Sequence, residues 1–255
     1  MRKVAIYRCV FANYDTLVDE LVVLPDVDYY LFTDDPGLDI YPYRTILIKD
    51  FLDNPAIANR SFKLTIPEEL KSYEVTIYMD GNIGVFSNIE DLIDEFLFSN
   101  ADIGLFTHPN HNSLEDEIEL CIKNAKSFEE KLRSEVKFYA DLDTPKLDKF
   151  SDNSILFRKN HTENFSAAMQ EWFELVKKFS GRDQLSLPFI RFKYNLKEHF
   201  FDFSPRTRRN KYFIVFPHNI KQDSASYFEI FKFKSKFILK KIFRYFLYII
   251  NSYKV

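Results

Sequence analysis

Val75-Thr76-Ile77-Tyr78-Met79-Asp80-Gly81-Asn82 decides the reading of this chain. Five consecutive apolar, aromatic or β-branched residues read as a strand buried on both faces, the habit of parallel sheets. Asp-Gly-Asn ends it at once, and all three are turn formers. In open α/β sheets ligands collect at the carboxyl ends of the strands, so an acid at that place faces a site instead of the core. Asp80 and Asn82 offer oxygens two residues apart, the ligand type a hard divalent cation takes. A plain turn after a strand is the competing reading of the same triplet.

The flanking sequence supplies a sheet for that strand. Val4 to Val10 reads as a first strand and Asp28 to Thr33 as a second, ending at the acidic turn Asp34-Asp35-Pro36-Gly37. Thr45 to Ile48 is a short third, and a helix over 59–71 follows with Arg60 and Lys63 one turn apart on one face. Beyond the Asp80 strand, Ser87-Asn88-Ile89-Glu90 has the form of a capping box, opening a helix with Ile89, Leu92, Ile93 and Phe96 on one stripe. Ala101 to Phe106 is the next strand, ending at Thr107-His108-Pro109. Helices are expected over about 113–126, 128–140 and 162–179, with a strand from Ser154 to Arg158. Strands that alternate with helices predict an α/β fold, a mainly parallel sheet with helices on both faces.

Composition narrows the chemistry. Only 5 of 255 residues are glycine, and neither a G-x-G-x-x-G nor a P-loop pattern occurs. Phosphate would have to be held by cationic side chains and a metal instead of a glycine loop. Cys9 and Cys121, the two cysteines, have neither metal spacing nor a disulfide framework. The amino terminus lacks a signal-peptide pattern, since Arg8 interrupts the apolar stretch, and no run reaches the roughly 20 apolar residues of a spanning helix. The expected location is the cytoplasm. Seven basic residues and no acid lie between Ile230 and Val255, so with a net charge of −3 the rest of the chain carries −10. The segment reads as a C-terminal basic amphipathic helix, with Lys236, Lys240 and Arg244 as its stripe. It divides the chain into a domain of residues 1–228 and a tail of 229–255. Such a tail can lie on the inner face of the cytoplasmic membrane, peripheral on anionic lipid, or pack on the domain as a closing helix. Nucleic acid is not expected as a partner, because the body is acidic.

Several segments together resemble a bacterial and plant glycosyltransferase-like family, formerly catalogued as a domain of unknown function and related to the GT-A nucleotide-diphospho-sugar transferases. They are Phe11-Ala12-Asn13-Tyr14-Asp15, Tyr30-Leu31-Phe32-Thr33-Asp34-Asp35, Arg60-Ser61-Phe62-Lys63, Ile77-Tyr78-Met79-Asp80-Gly81-Asn82-Ile83, His108-Pro109 and Gly181-Arg182-Asp183-Gln184-Leu185-Ser186-Leu187-Pro188-Phe189. They run over about residues 4–195. The chain departs from the family pattern at Thr65-Ile66-Pro67, where a Pro-His pair is usual.

The resemblance implies a GT-A-like fold and transfer of a sugar from a nucleotide diphosphate to a glycan or lipid-linked acceptor. It points to cell-surface polysaccharide or lipopolysaccharide biosynthesis. It places Mn2+ or Mg2+ on Asp80 and Asn82, with His218 as a third ligand. Arg60, Lys63, Asp34, Asp35, Arg182 and His108 become donor-binding candidates, and Asp183 and Gln184 the catalytic ones. Each has a plainer alternative: a solvated helix face for Arg60 and Lys63, a turn for the acidic pair, a helix cap for Asp183 and a surface or core histidine for His218. A non-catalytic sugar- or nucleotide-binding protein is the rival function, favoured by an asparagine where a second metal-binding carboxylate is usual. A nucleotidyltransferase would normally carry the missing glycine-rich loop.

Overall fold

The computed structural model describes residues 3–216 apart from 14, 16, 19, 21, 50–53, 109–113, 125–126, 143–146, 148, 160–161 and 208–209. The chain divides into units Met1–Phe216 and Pro217–Val255. All of the second unit lies outside the described residues, and with it the basic tail and the expected boundary at 228.

Nine strands and six α-helices are described: β1 (Val4–Val10), β2 (Val27–Thr33), β3 (Arg44–Leu47), α1 (Pro55–Leu64), β4 (Val75–Met79), β5 (Ile83–Val85), α2 (Glu90–Phe98), β6 (Ile103–Thr107), α3 (Leu114–Lys123), α4 (Glu129–Ala140), β7 (Ser151–Lys159), α5 (Glu163–Lys178), α6 (Asp183–Lys193), β8 (Glu198–Phe201) and β9 (Phe213–Val215). Seven strands form one sheet in the order β3-β2-β1-β4-β7-β6-β8, and β5 pairs with β9 apart from it. Strands β1 to β4 run parallel, and β6 and β8 share their direction. Within this sheet β7 alone, between β4 and β6, runs against its neighbours.

The buried runs alternate faces as expected of a sheet covered on both sides. In β1, Ala5, Tyr7 and Cys9 enter a core with residues of α1, α5 and α6. Val4, Ile6 and Val10 enter the opposite core with α2, β5 and β9. Gly104 lets α2 lie close on that side, because an added Cβ would stand 2.9 Å from both Phe96 and Phe157.

Helix α1 begins earlier than the apolar spacing suggests. Asn54 caps it by accepting from the N–H of Ala56 and Ile57, Pro55 takes the first position, and the helix ends at Leu64, two residues before Ile66-Pro67. Its far end is pinned from the sheet. The fully buried Arg158 of β7 donates to the carbonyls of Lys63 at 2.9 Å and Leu64 at 3.2 Å, and to the Tyr7 hydroxyl. Those are carbonyls that a helix end leaves without partners. The expected capping box of α2 does not form: Ser87 donates to the Lys211 carbonyl, and Asn88 accepts from the Glu90 N–H instead.

Candidate active site

Asp80 leaves the carboxyl end of β4, with its N–H on the Ser154 carbonyl at 2.9 Å. Reversal of β7 brings the start of that strand, not its end, to this side of the sheet. Ser151, Asp152, Asn153 and Ser154 are all buried there. Asp152 accepts from the Ser154 and Ser204 hydroxyls and pairs with Arg206, while Asn153 accepts from the Ser151 hydroxyl.

The Asp80-Gly81-Asn82 turn is held from beneath by Arg8. This fully buried guanidinium donates to the carbonyls of Gly81 and Val18, each at 3.0 Å, and to that of Ile83. It is paired with a buried Glu20, which also accepts from the Tyr43 hydroxyl and from the Val85 N–H at 2.9 Å. The loop after β1 is fixed in turn by Asp34, whose carboxylate accepts from the Ala12 N–H at 2.9 Å. Ala12 and Asn13 are both in the left-handed region, at φ 49° and 51°.

Above the turn, α1 delivers its two cations. Lys63 Nζ lies 2.9 Å from Asp183 Oδ2 and 3.3 Å from Asp80 Oδ1. Arg60 Nη1 is 3.4 Å from the same Asp183 oxygen. The Tyr78 hydroxyl donates to Asp80 Oδ1 at 3.0 Å, and the Lys63 ammonium stands 5.3 Å from the centre of the Tyr78 ring, within cation–π range. Lys63 is only 3% exposed, so the surface reading of the pair fails for it. Arg60 remains partly open, its side chain 25% exposed.

Asp183 is the first residue of α6, but its side chain does not cap the helix. The N-cap position belongs to Arg182, which makes no side-chain cap bond. The Trp172 indole N–H donates to the Asp183 carbonyl at 3.0 Å and fixes that turn. Burial alone would raise the Asp183 carboxyl, but Arg60, Lys63 and Arg182 overcome it and hold the group well below the usual carboxylate range. Arg182 reaches Gln184 Oε1 at 2.9 Å and lies 3.8 Å from Glu117, while Gln184 also donates to the Ser151 carbonyl at 3.3 Å. Gln184 thus braces α6 on β7.

Asp35 accepts from the Gly37 N–H and builds its own turn. The His108 N–H donates to the Phe150 carbonyl just past β6. His218 lies outside the described residues.

Sequence reasoning passed over several buried charges. Arg8 and Arg158 sit inside strands, where a charge requires a partner, and that requirement is the signal that could have exposed them. Glu135 of α4 accepts from the Ser180 N–H and hydroxyl and from the Tyr139 hydroxyl. Burial pushes its carboxyl up to about 7, against those hydrogen bonds and Arg182.

Asp80 and Asn82 carry oxygens of the kind a hard cation takes, but the lining as a whole does not fit one, because Asp80 is ion-paired to Lys63 at 3.3 Å and Arg60 and Arg182 add positive charge around Asp183. Asn82 Nδ2 donates to the Phe216 carbonyl at 2.7 Å, and Asn82 Oδ1 is buried without a hydrogen-bond partner among the described residues. An oxygen left so costs about 1–3 kcal/mol. Among the described residues no group of three or more His, Cys, Asp or Glu side chains could hold a metal, so Asp80 and Asn82 would need further ligands from elsewhere.

A family model described as TOD1/MUCI70, glycosyltransferase-like domain, matches residues 39–218. No curated protein matches the chain. The solved structure of the bifunctional glycosyltransferase WbbM in its apo form is similar at 13% identity and a TM-score of 0.49, covering 78% of this chain. The chain spans 39% of that structure's length.

Proposed function

The chain belongs to the TOD1/MUCI70 glycosyltransferase-like domain family, and on that footing we propose that it moves a sugar from a nucleotide diphosphate to a glycan or lipid-linked acceptor. The observation that carries this reading is Lys63, whose ammonium joins two carboxylates 103 positions apart in sequence, Asp80 after β4 and Asp183 at the start of α6. One acid holds the ammonium and the other suits a proton, with Arg60 of α1 beside the second.

In such a transfer the bond between the anomeric carbon and the diphosphate breaks, and negative charge gathers on the leaving group. Positive groups placed where that charge develops supply the largest share of catalysis in most enzymes. Arg60 and Lys63 are the cations available for it. Asp80, ion-paired to Lys63 and bonded by the Tyr78 hydroxyl, would hold that ammonium in place for the diphosphate. Asp183 is ionised at neutral pH and so is in the form that accepts the acceptor hydroxyl proton in an inverting reaction. Asp34 holds the loop after β1 in place for the nucleoside, and Arg182 and His108 remain candidates at the donor. The tail would hold the protein at an anionic membrane face, where each basic residue contributes about 1 kcal/mol. Surface polysaccharide or lipopolysaccharide assembly is the setting that this arrangement suits.

A panel of nucleotide sugars, incubated with and without Mn2+ and followed for slow donor hydrolysis, tests the reading. Hydrolysis of one donor, lost in Asp80→Ala, is the expected result. Donor binding without turnover would favour a non-catalytic sugar- or nucleotide-binding protein. Sedimentation with anionic vesicles, weakened by salt and lost on removal of residues 230–255, tests the tail.

A further inference from the structure

The turn between α5 and α6, which ends at Asp183, is gripped by residues of α3, α4 and the segment joining them. We propose that Glu135 of α4 is a positioning residue for the transfer: by holding Ser180 it fixes where the Asp183 carboxylate stands. The inference rests on the reading of Asp183 as the proton acceptor.

Each polar group of Ser180 is engaged. Its N–H donates to Glu135 Oε2 at 3.3 Å, and its hydroxyl donates to the same oxygen. Its carbonyl accepts from the Ser127 hydroxyl at 2.7 Å, and its hydroxyl oxygen accepts from the Arg182 N–H at 3.2 Å. Glu117 of α3 adds a carboxylate 3.8 Å from the Arg182 guanidinium. Glu117 and Glu135 are each 1% exposed, and a carboxylate is kept in such a place only where hydrogen bonds or charges meet it. Asp183 itself is paired with Arg60 and Lys63, so Glu135 reaches it through the turn.

The turn needs such a grip. Gly181 stands in the left-handed region at φ 76°, with its N–H on the Val176 carbonyl at 3.1 Å, and has no side chain to pack. The step from Ser180 to Asp183 therefore takes its place from the partners of Ser180 at one end. At the other end the Trp172 indole N–H holds the Asp183 carbonyl at 3.0 Å. Loss of the first anchor leaves the second alone, and a misplacement of about 1 Å can cost on the order of 100-fold in rate. Either protonation state of Glu135 serves. A protonated carboxyl keeps one oxygen for Ser180 and turns its O–H to the Tyr139 hydroxyl, which otherwise donates to Oε1 at 3.2 Å. Glutamine has the same shape and the same spare oxygen, whereas leucine has none.

Trp172 is the sole tryptophan of the chain, so its indole N–H gives a single nuclear magnetic resonance that reports on the Asp183 carbonyl. In the full chain, isotope-labelled at the indole nitrogen, Glu135→Leu should shift that resonance and speed exchange of its proton with solvent several-fold. Ser180→Ala, which removes only a hydroxyl, should shift it less, and it keeps the test decisive where Glu135→Leu does not fold. Glu135→Gln should leave it at the parent position. Gly104→Ala is the control for general loosening, because its Cβ would crowd Phe96 and Phe157 in the opposite core. In donor hydrolysis, kcat should fall about 100-fold in Glu135→Leu and return in Glu135→Gln, with the donor KM unchanged. A resonance unmoved in whichever of Glu135→Leu and Ser180→Ala folds overturns the proposal. So does one displaced equally by Glu135→Gln or by Gly104→Ala. A resonance that moves while kcat holds, where Asp183→Asn has lost turnover, overturns it too. Full turnover in Asp183→Asn is a different failure: it removes the proton-acceptor reading, and the resonance still decides whether Glu135 holds the turn.

Discussion

Two buried clusters, one on each face of the β1–β4 region, use the same ingredients to opposite ends. Under the Asp80-Gly81-Asn82 turn, Arg8 and Glu20 have side chains with no exposure at all, and every neighbour they bond is a backbone group or Tyr43. Above it, Lys63 is shared between two acids, Asp80 is 20% exposed and Arg60 25%. The lower cluster uses a planar, five-donor guanidinium that satisfies several carbonyls at once. The upper one uses a single ammonium shared by two carboxylates. A buried ion pair fixes a loop when its hydrogen bonds are filled by main chain, and joins two elements when one ammonium is shared by acids from both.

The largest effect separating the two should come from Arg8→Met. It strands Glu20 without its cation, and breaking a buried pair by removing one partner costs about 3–5 kcal/mol. Urea unfolding should register that loss in full, and a loss near that of a surface substitution would refute the clamp. Asp183→Asn should act on chemistry first. Transfer is expected to fall by about 100-fold or more, the scale of a lost general base, with less destabilisation than Arg8→Met because Lys63 keeps Asp80. Donor affinity that falls while turnover persists would move Asp183 into the donor pocket. Since the Asp183 carboxyl is held low, its stabilising share is present above the ordinary carboxylate range and is lost as pH drops through its folded value.

Glu135 gives a smaller effect of opposite sign. Its carboxyl rises from 4.5 to about 7 on folding, so the folded protein holds the extra proton and loses stability as pH climbs through that window. Relative to Glu135→Gln, which does not titrate, the parent should lose on the order of 1–3 kcal/mol between pH 4.5 and 7 and little beyond it. A flat difference between the two unfolding curves would refute the shift. Smallest of all, Arg60→Gln should change stability by less than ~1 kcal/mol, because the Arg60 side chain is partly in solvent. Its effect should appear instead as weaker donor binding by calorimetry. An unaltered donor affinity would return Arg60 to the solvated helix face that its spacing alone suggests.

How much of this was legible depended on whether the signal was local. The β4 strand and its terminal acid could be read because burial on both faces and turn chemistry lie within eight consecutive residues. Strand β1 was equally plain, and Thr162 caps α5 where the sequence placed its start. Helix α1 was misplaced because apolar spacing from residue 59 outweighed the cap Asn54-Pro55, a stop-and-start signal with a short apolar run after it. The Ser87 box failed because a tertiary partner, the Lys211 carbonyl, outbid the local one. Asp183 and Lys63 could be singled out but not joined, since no pattern in sequence expresses a contact across 120 residues. Ser151 to Ser154 was missed for a topological reason. A search keyed to the ends of strands passes over the beginning of a strand that runs backwards.

Arg158 gives the site a fixed scale of length. With the carbonyls of Lys63 and Leu64 anchored to β7, the ammonium of Lys63 sweeps a sphere whose radius is its own stem. Whatever receives that charge must arrive inside the sphere, and an anion held a little too far out is refused by geometry alone, however negative it is. Lys63→Arg keeps the charge but changes the radius and the shape of the head, so it should fail as a replacement. Position 63 works as a ruler fastened at one end.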